Sequence, residues 1–183
     1  MTGVRLNKFD RVVHYICDRC DDTSKLGSTK LNKILWYIDS FSYRLHGETV
    51  TGETHYVKRR FGPVPRRILA SLERLQRTGR LHVREVEVFG HPKREFVSLK
   101  DAGAYRFTEH AHEIMDAVIK VVCADHTAMS ISDLSHDIIW ESAELGEHIP
   151  IYAVLAAVPG ALTHEDERWA DGKIKEHLNQ LAA

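Results

Sequence analysis

"KLNKILWYIDSFSYRLHGETVTGETHYVKRRFGPVP", residues 30 to 65, reads as four pieces in succession. Leu31, Ile34, Leu35, Ile38, Phe41 and Leu45 recur at steps of three and four, the period of a helix with one apolar face directed at a core. Ser28 or Thr29 can cap its start, and Gly47 is a good stop. Gly47 and Gly52 mark turns before a short extended piece at Thr54 to Lys58. The Gly-Pro-Val-Pro at 62 to 65 is too rich in proline for a helix interior or a central strand. It reads as a rigid corner that delivers the chain into a helix at Pro65, where the missing N–H costs nothing.

Outward from this stretch the helical period continues. Leu6, Phe9, Val12, Val13, Ile16, Cys17 and Cys20 form an earlier stripe, and Ile68, Leu69, Leu72 and Leu75 a later one ending at Gly79. Leu81, Val83, Val86 and Val88, a turn at Gly90 to Pro92, and Phe96 to Leu99 predict a hairpin. The alternation slips at Arg84 and Glu85, which predicts a bulge there. An apolar helix over about 107 to 124, two shorter ones near 130 to 137 and 139 to 145, and a last helix from Thr163 to about Leu181, opened by a "THED" capping box, complete the chain. The order of helices and hairpin is that of a winged helix. The expected fold is mainly α with a small β-hairpin or sheet, an α+β arrangement in one winged-helix-like helical domain over 1–183. The break at 101 to 105 is too short to be an interdomain linker.

Composition places the chain among ordinary globular proteins: 183 residues, 43% hydrophobic and 28% charged, enough for a core without disulfides or metals. No apolar run is long enough to cross a bilayer, the start lacks a signal-peptide core, and three cysteines do not make a disulfide framework. A cytoplasmic protein with no membrane partner is the expectation.

There is no nucleophile elbow, zincin helix, Walker loop or dinucleotide fingerprint, so no catalytic residues and no cofactor are expected. Cys17, Cys20, Cys123 and His126 have the residue types of a zinc site, but both pairs fall in helical stretches and Cys17 and Cys20 lie on an apolar stripe. Buried structural thiols are the preferred reading, and no metal is expected.

Charge is distributed unevenly although the net is -1. Residues 58 to 84 carry nine Lys/Arg against one acid, and residues 125 to 183 eleven acids against three bases. Such polarity concerns association and steering, not fold. Arg59, Arg60, Arg66 and Arg67 flank the corner and have three possible counterparts: the acidic C-terminal half, a protein partner, or nucleic acid.

The ordered set Lys30, Leu31, Lys33, Leu35, Tyr37, Asp39, Gly47, Thr51, Gly52, Tyr56 and Gly62 to Pro65 resembles the Panacea domain, the SocA-like antitoxin family of phage-associated proteins. "LSHDIIWESAELGEHI" at 134 to 149, with Ser135, His136, Trp140 and Gly146, resembles the family's later segment. The resemblance spans most of residues 6 to 150 and leaves the last helix least covered. It implies a bacterial antitoxin, not an enzyme, that neutralises a cognate protein toxin by direct contact, in some members with delivery to an ATP-dependent protease. The rival reading is a winged-helix DNA-binding regulator. Tyr37, Asp39, Tyr56, Arg59, Arg60, Arg66, Arg67 and Trp140 are the candidate partner-binding residues. For Tyr37, Asp39 and Tyr56 a structural hydrogen-bond network is the stronger expectation, because polar atoms on packed elements need partners.

Overall fold

The computed structural model describes residues 5–20 and 22–156. Helix α1, Lys8–Arg19, starts at Asn7, whose side chain accepts the Asp10 N–H while the Asp10 carboxylate accepts the Asn7 N–H, both at 2.9 Å. This reciprocal cap satisfies two donors that a helix start leaves free. Helix α2, Ser28–His46, is the axis of the fold. Gly27, not Ser28 or Thr29, occupies its cap position, without a side-chain hydrogen bond. Gly47 closes it in the left-handed conformation (φ 72°), its N–H bonding to Tyr43 O.

Two antiparallel sheets flank the helices. The first is β1 (His55–Arg59), β2 (Gly62–Pro65) and β5 (His148–Pro150), in the order β2-β1-β5. The second is the hairpin β3 (Leu81–Val88) and β4 (His91–Ser98). Helix α3 (Ile68–Arg77) lies between them in the chain; α4 (Glu109–Asp125), α5 (Ala128–Leu134) and α6 (Ile138–Ser142) follow, and a 3-10 turn at Ile151–Leu155 packs on α2. The fold is therefore mainly helical with small antiparallel sheets, as expected.

Several details differ from the sequence expectation. Gly-Pro-Val-Pro is itself strand β2, in register with β1 from Arg59↔Gly62 to Tyr56↔Pro65, and the next helix begins at Ile68. Two prolines are admissible because β2 is an edge: residues two apart present their nitrogens to the same side, so Pro63 and Pro65 lie on one side and Gly62 and Val64 on the other. The short β5, not foreseen, makes β1 the central strand through Tyr56↔Ile149. No bulge interrupts the β3–β4 register, which runs unbroken from Leu81↔Ser98 to Val88↔His91. The distal half of this ribbon projects into solvent, so no core dictates which face its valines take. The turn is Phe89-Gly90, both with positive φ, and His91 and Pro92 already belong to β4. The expected helix from Thr163 lies outside the described residues.

Helix α2 divides the interior in two. Leu31, Ile34, Leu35 and Ile38 join α1, α3 and α4 in the main core, while Trp36 faces a second cluster with Tyr56, Ile139, Ile149, Ile151 and Val154. Phe41 and Leu45, expected in the core, are 42% and 69% exposed. Leu69 is also exposed, at 62%.

Candidate functional site

The motif residues of α2 converge on the loop and strand that follow it. Asp39 has no exposed surface and accepts three hydrogen bonds: from the Thr51 N–H at 2.9 Å, the Thr51 hydroxyl, and the Tyr56 hydroxyl at 2.9 Å. Burial pushes its carboxyl up to about 6, and the Thr51 and Tyr56 hydrogen bonds hold it from rising further. Thr51 Oγ1 in turn accepts the Glu53 N–H at 2.9 Å, and buried Glu53 pairs with Arg67, whose guanidinium lies 5.1 Å over the Phe9 ring. One carboxylate thus holds the loop and β1 against α2.

Lys33, six residues before Asp39 on α2, makes the second anchor. The residue is 1% exposed, its amine donates to the Ser135 hydroxyl, and Ser135 donates to Ser132 O at 2.8 Å. Burial holds the amine down to about 8. Gly62 lies against it with φ 119°, and a Cβ there would overlap Lys33 Nζ. The glycine of the Gly-Pro-Val-Pro strand is therefore required twice, by conformation and by space.

Above this anchor is the corner surface. Trp140 stacks on His136 with centroids 3.8 Å apart and planes at 11°, donates its indole N–H to Arg59 O at 3.1 Å, and carries Lys58 Nζ 3.9 Å from its centroid. Lys58 also donates to Ala143 O at 2.9 Å. Burial, with positive Lys33 and Lys58 nearby, lowers the His136 pKa and favours the neutral ring in this stack. Arg59, Arg60 and Arg66 are exposed, and Phe61 is 58% exposed beside them.

A groove of about 550 Å³ lies on the neighbouring face, lined by Tyr37, Phe41 and Leu45 of α2, Ile114 and Val121 of α4, and Leu134 of α5 among others. Phe41, Leu45, Val121 and Leu134 all carry large exposed apolar surface, and the Tyr37 and Phe41 rings are parallel within 23°. Short helix α5 joins groove to corner: Leu134 lines the first, and the Ser132 hydroxyl, bonded to Ala128 O at 2.9 Å, lies 3.4 Å from Phe61 O in the second.

The expected site residues thus separate into groups. Tyr37 edges the groove; Arg59, Arg60, Arg66 and Trp140 form the corner; Arg67 braces Glu53. Asp39 and Tyr56 are fully buried and shape that surface from within instead of presenting themselves on it. Among the described residues, arginines of the basic segment bond to Asp10, Glu53 and Glu95, acids that are their near neighbours in the fold. Residue reasoning missed the structural role of Lys33 and the groove. The signal for the groove was α4, whose apolar residues cover more of its circumference than one core can absorb. Among the described residues, no three His, Cys, Asp or Glu side chains are grouped to hold a metal.

No curated protein and no solved structure matches the chain. The family model of the SocA-like antitoxin Panacea domain matches residues 31–141, from the first leucine of α2 through the corner to α6. Those bounds enclose Lys33, Asp39, Thr51, Tyr56, Gly62, Ser135 and Trp140, the residues that build the anchors and the corner. The chain belongs to the SocA-like antitoxin family of Panacea domains.

Proposed function

We propose that the protein is a non-catalytic, cytoplasmic antitoxin that neutralises a cognate protein toxin by direct contact through the α2–α4 groove and the adjoining corner. The open apolar groove carries this reading: contiguous exposed apolar surface rimmed by polar residues is characteristic of a protein-binding face. The corner supplies what such faces add to an apolar centre, an aromatic and several arginines. Exposed Arg59, Arg60 and Arg66 favour a toxin whose matching surface is acidic.

Co-expression with the product of the adjacent gene tests it. The expected result is rescue of growth and a complex that survives size-exclusion chromatography; a harmless neighbour with no complex defeats the reading. Toxin half-life separates masking from delivery to an ATP-dependent protease, since only delivery shortens it. The same arginines support one rival, DNA binding, which requires affinity that falls steeply with salt and is lost when Arg59, Arg60, Arg66 and Arg67 are neutralised.

A further inference from the structure

Cys20 closes α1 and Cys123 lies in the last turn and a half of α4, 103 residues apart in the chain, yet the Cys20 thiol donates to Cys123 Sγ at 3.1 Å. We infer that Cys20 and Cys123 form a two-thiol site that a hydroperoxide converts reversibly into a disulfide joining α1 to α4. The inference is independent of the antitoxin assignment.

Three features distinguish this pair from buried thiols packed as small apolar groups. Cys123 is half-buried and lines two surface clefts that meet at it, so a small oxidant reaches its sulfur. The Cys20 hydrogen bond, helped by Lys30 and Lys25 in one cleft and against the effect of burial, holds the Cys123 thiol below its usual pKa. Arg19, Asp22, Asp116 and Lys120 border the other. Cys20 is only 5% exposed, and its thiol is pushed up by the Cys123 hydrogen bond and by burial. The roles are therefore asymmetric, with Cys123 the attacking sulfur and Cys20 the resolving one. Cys17, one turn earlier, is buried with its thiol pushed well up by desolvation, and it takes no part.

The chemistry balances with one peroxide. Cys123 thiolate attacks a peroxide oxygen, the O–O bond breaks, and the departing hydroxide takes a proton to leave as water, giving a sulfenic acid. Loss of the thiolate charge relieves part of what holds the Cys20 proton. Cys20 sulfur then attacks the sulfenic sulfur, the S–S bond forms, the S–O bond breaks, and hydroxide leaves with the Cys20 proton as a second water. Two thiols lose two electrons and the peroxide gains them. Closing from 3.1 Å to a bond of about 2.05 Å asks for a shift of about 1 Å. Cys20 can supply it because it is the cap residue: its N–H still bonds to Ile16 O, but its backbone is already extended at φ -84° and ψ 91°.

The test uses the full wild-type chain, so it does not depend on a variant folding. Hydrogen peroxide at sub-millimolar concentration should give a monomer lighter by about 2 Da, a Cys20–Cys123 peptide in a non-reducing digest, and recovery of both thiols with dithiothreitol. The oxidised form should melt roughly 10 °C higher, since the bridge closes a long loop. Cys17→Ser should leave all of this unchanged and Cys123→Ser should abolish it. A monomer that stays reduced, one that gains oxygen at Cys123 without a cross-link, or cross-links formed only between chains would each overturn the inference.

Discussion

Tyr56 on β1 donates its phenol hydrogen toward Asp39 Oδ2 on α2 at 2.9 Å, with Leu35 O an equal 2.9 Å away. Tyr56 packs edge-on to Trp36, with centroids 5.0 Å apart, so an ionisable pair and an aromatic pair occupy one contact. The central strand is thereby fixed to the central helix, and the hairpin that carries Arg60 and Phe61 at its tip takes its position from that contact. Buried motif residues govern an exposed face in this way.

Replacing Asp39 separates its hydrogen bonds from its charge. Asp39→Ala leaves the Thr51 N–H and hydroxyl without their acceptor, while the Tyr56 hydroxyl keeps Leu35 O, and should cost about 3 kcal/mol in urea unfolding. Asp39→Asn keeps an acceptor for Thr51 and should lie within about 1 kcal/mol of wild type at pH 7. The folded carboxyl titrates at about 6 against an ordinary 3.8, so folding favours the protonated form. That contribution is full below pH 3.8 and is lost as pH rises through 6, an effect of roughly 3 kcal/mol. The stability difference between wild type and Asp39→Asn, measured from pH 3.5 to 7, should follow that fall.

Lys33 predicts the opposite slope at higher pH. Its folded amine titrates at about 8 against 10.5, so the unfolded chain holds the proton longer and stability from this group rises between pH 8 and 10.5. The full rise is roughly 3 kcal/mol, reduced by whatever water reaches the site. Lys33→Met lacks the group, and Ser135 keeps its own bond to Ser132 O. Wild type minus Lys33→Met, taken at pH 7.5 and at 10, removes the tyrosines and cysteines that titrate in the same range. A flat difference would contradict the assignment.

Both anchors show how far the sequence could be read. The apolar period of α2 and the glycines around it specify a helix, a stop and a turn by local rules, and these stand in the structure. A strand of two prolines was not legible, because edge position is decided by β1 and β5, the latter more than 80 residues away. The exposure of Phe41 and Leu45 was equally hidden: helical periodicity gives the apolar face but not whether another element covers it. Asp39 and Tyr56 were legible as groups that need partners, and the partner that completes them, Thr51, falls in the same motif.

Gly62→Ala should be among the most damaging single substitutions. The φ of 119° is unfavourable to any Cβ, and the new methyl would displace the Lys33 amine from its buried contact with Ser135. A loss of roughly 2–4 kcal/mol is expected, read as a fall of about 10 °C in Tm. Adding Lys33→Ala should recover the overlap and not the backbone strain, so the double variant should remain less stable than Lys33→Ala alone.

The proposed binding face can be tested without disturbing the core. Leu45 and Val121 are 69% and 46% exposed on opposite walls of the groove, so Leu45→Asp or Val121→Asp should change stability by less than about 1 kcal/mol. If the groove receives the toxin's apolar anchor, either change buries an unpaired carboxylate on binding and should weaken the complex 100-fold or more, mainly through faster dissociation. Arg59→Glu with Arg60→Glu should behave differently. These exposed charges steer encounter, so reversing them should slow association and flatten its salt dependence while dissociation changes less. Surface plasmon resonance on the purified pair separates the two rates. Unchanged dissociation in both groove variants, together with binding abolished by the arginine reversal, would move the interface to the corner alone and leave the groove without a role in neutralisation.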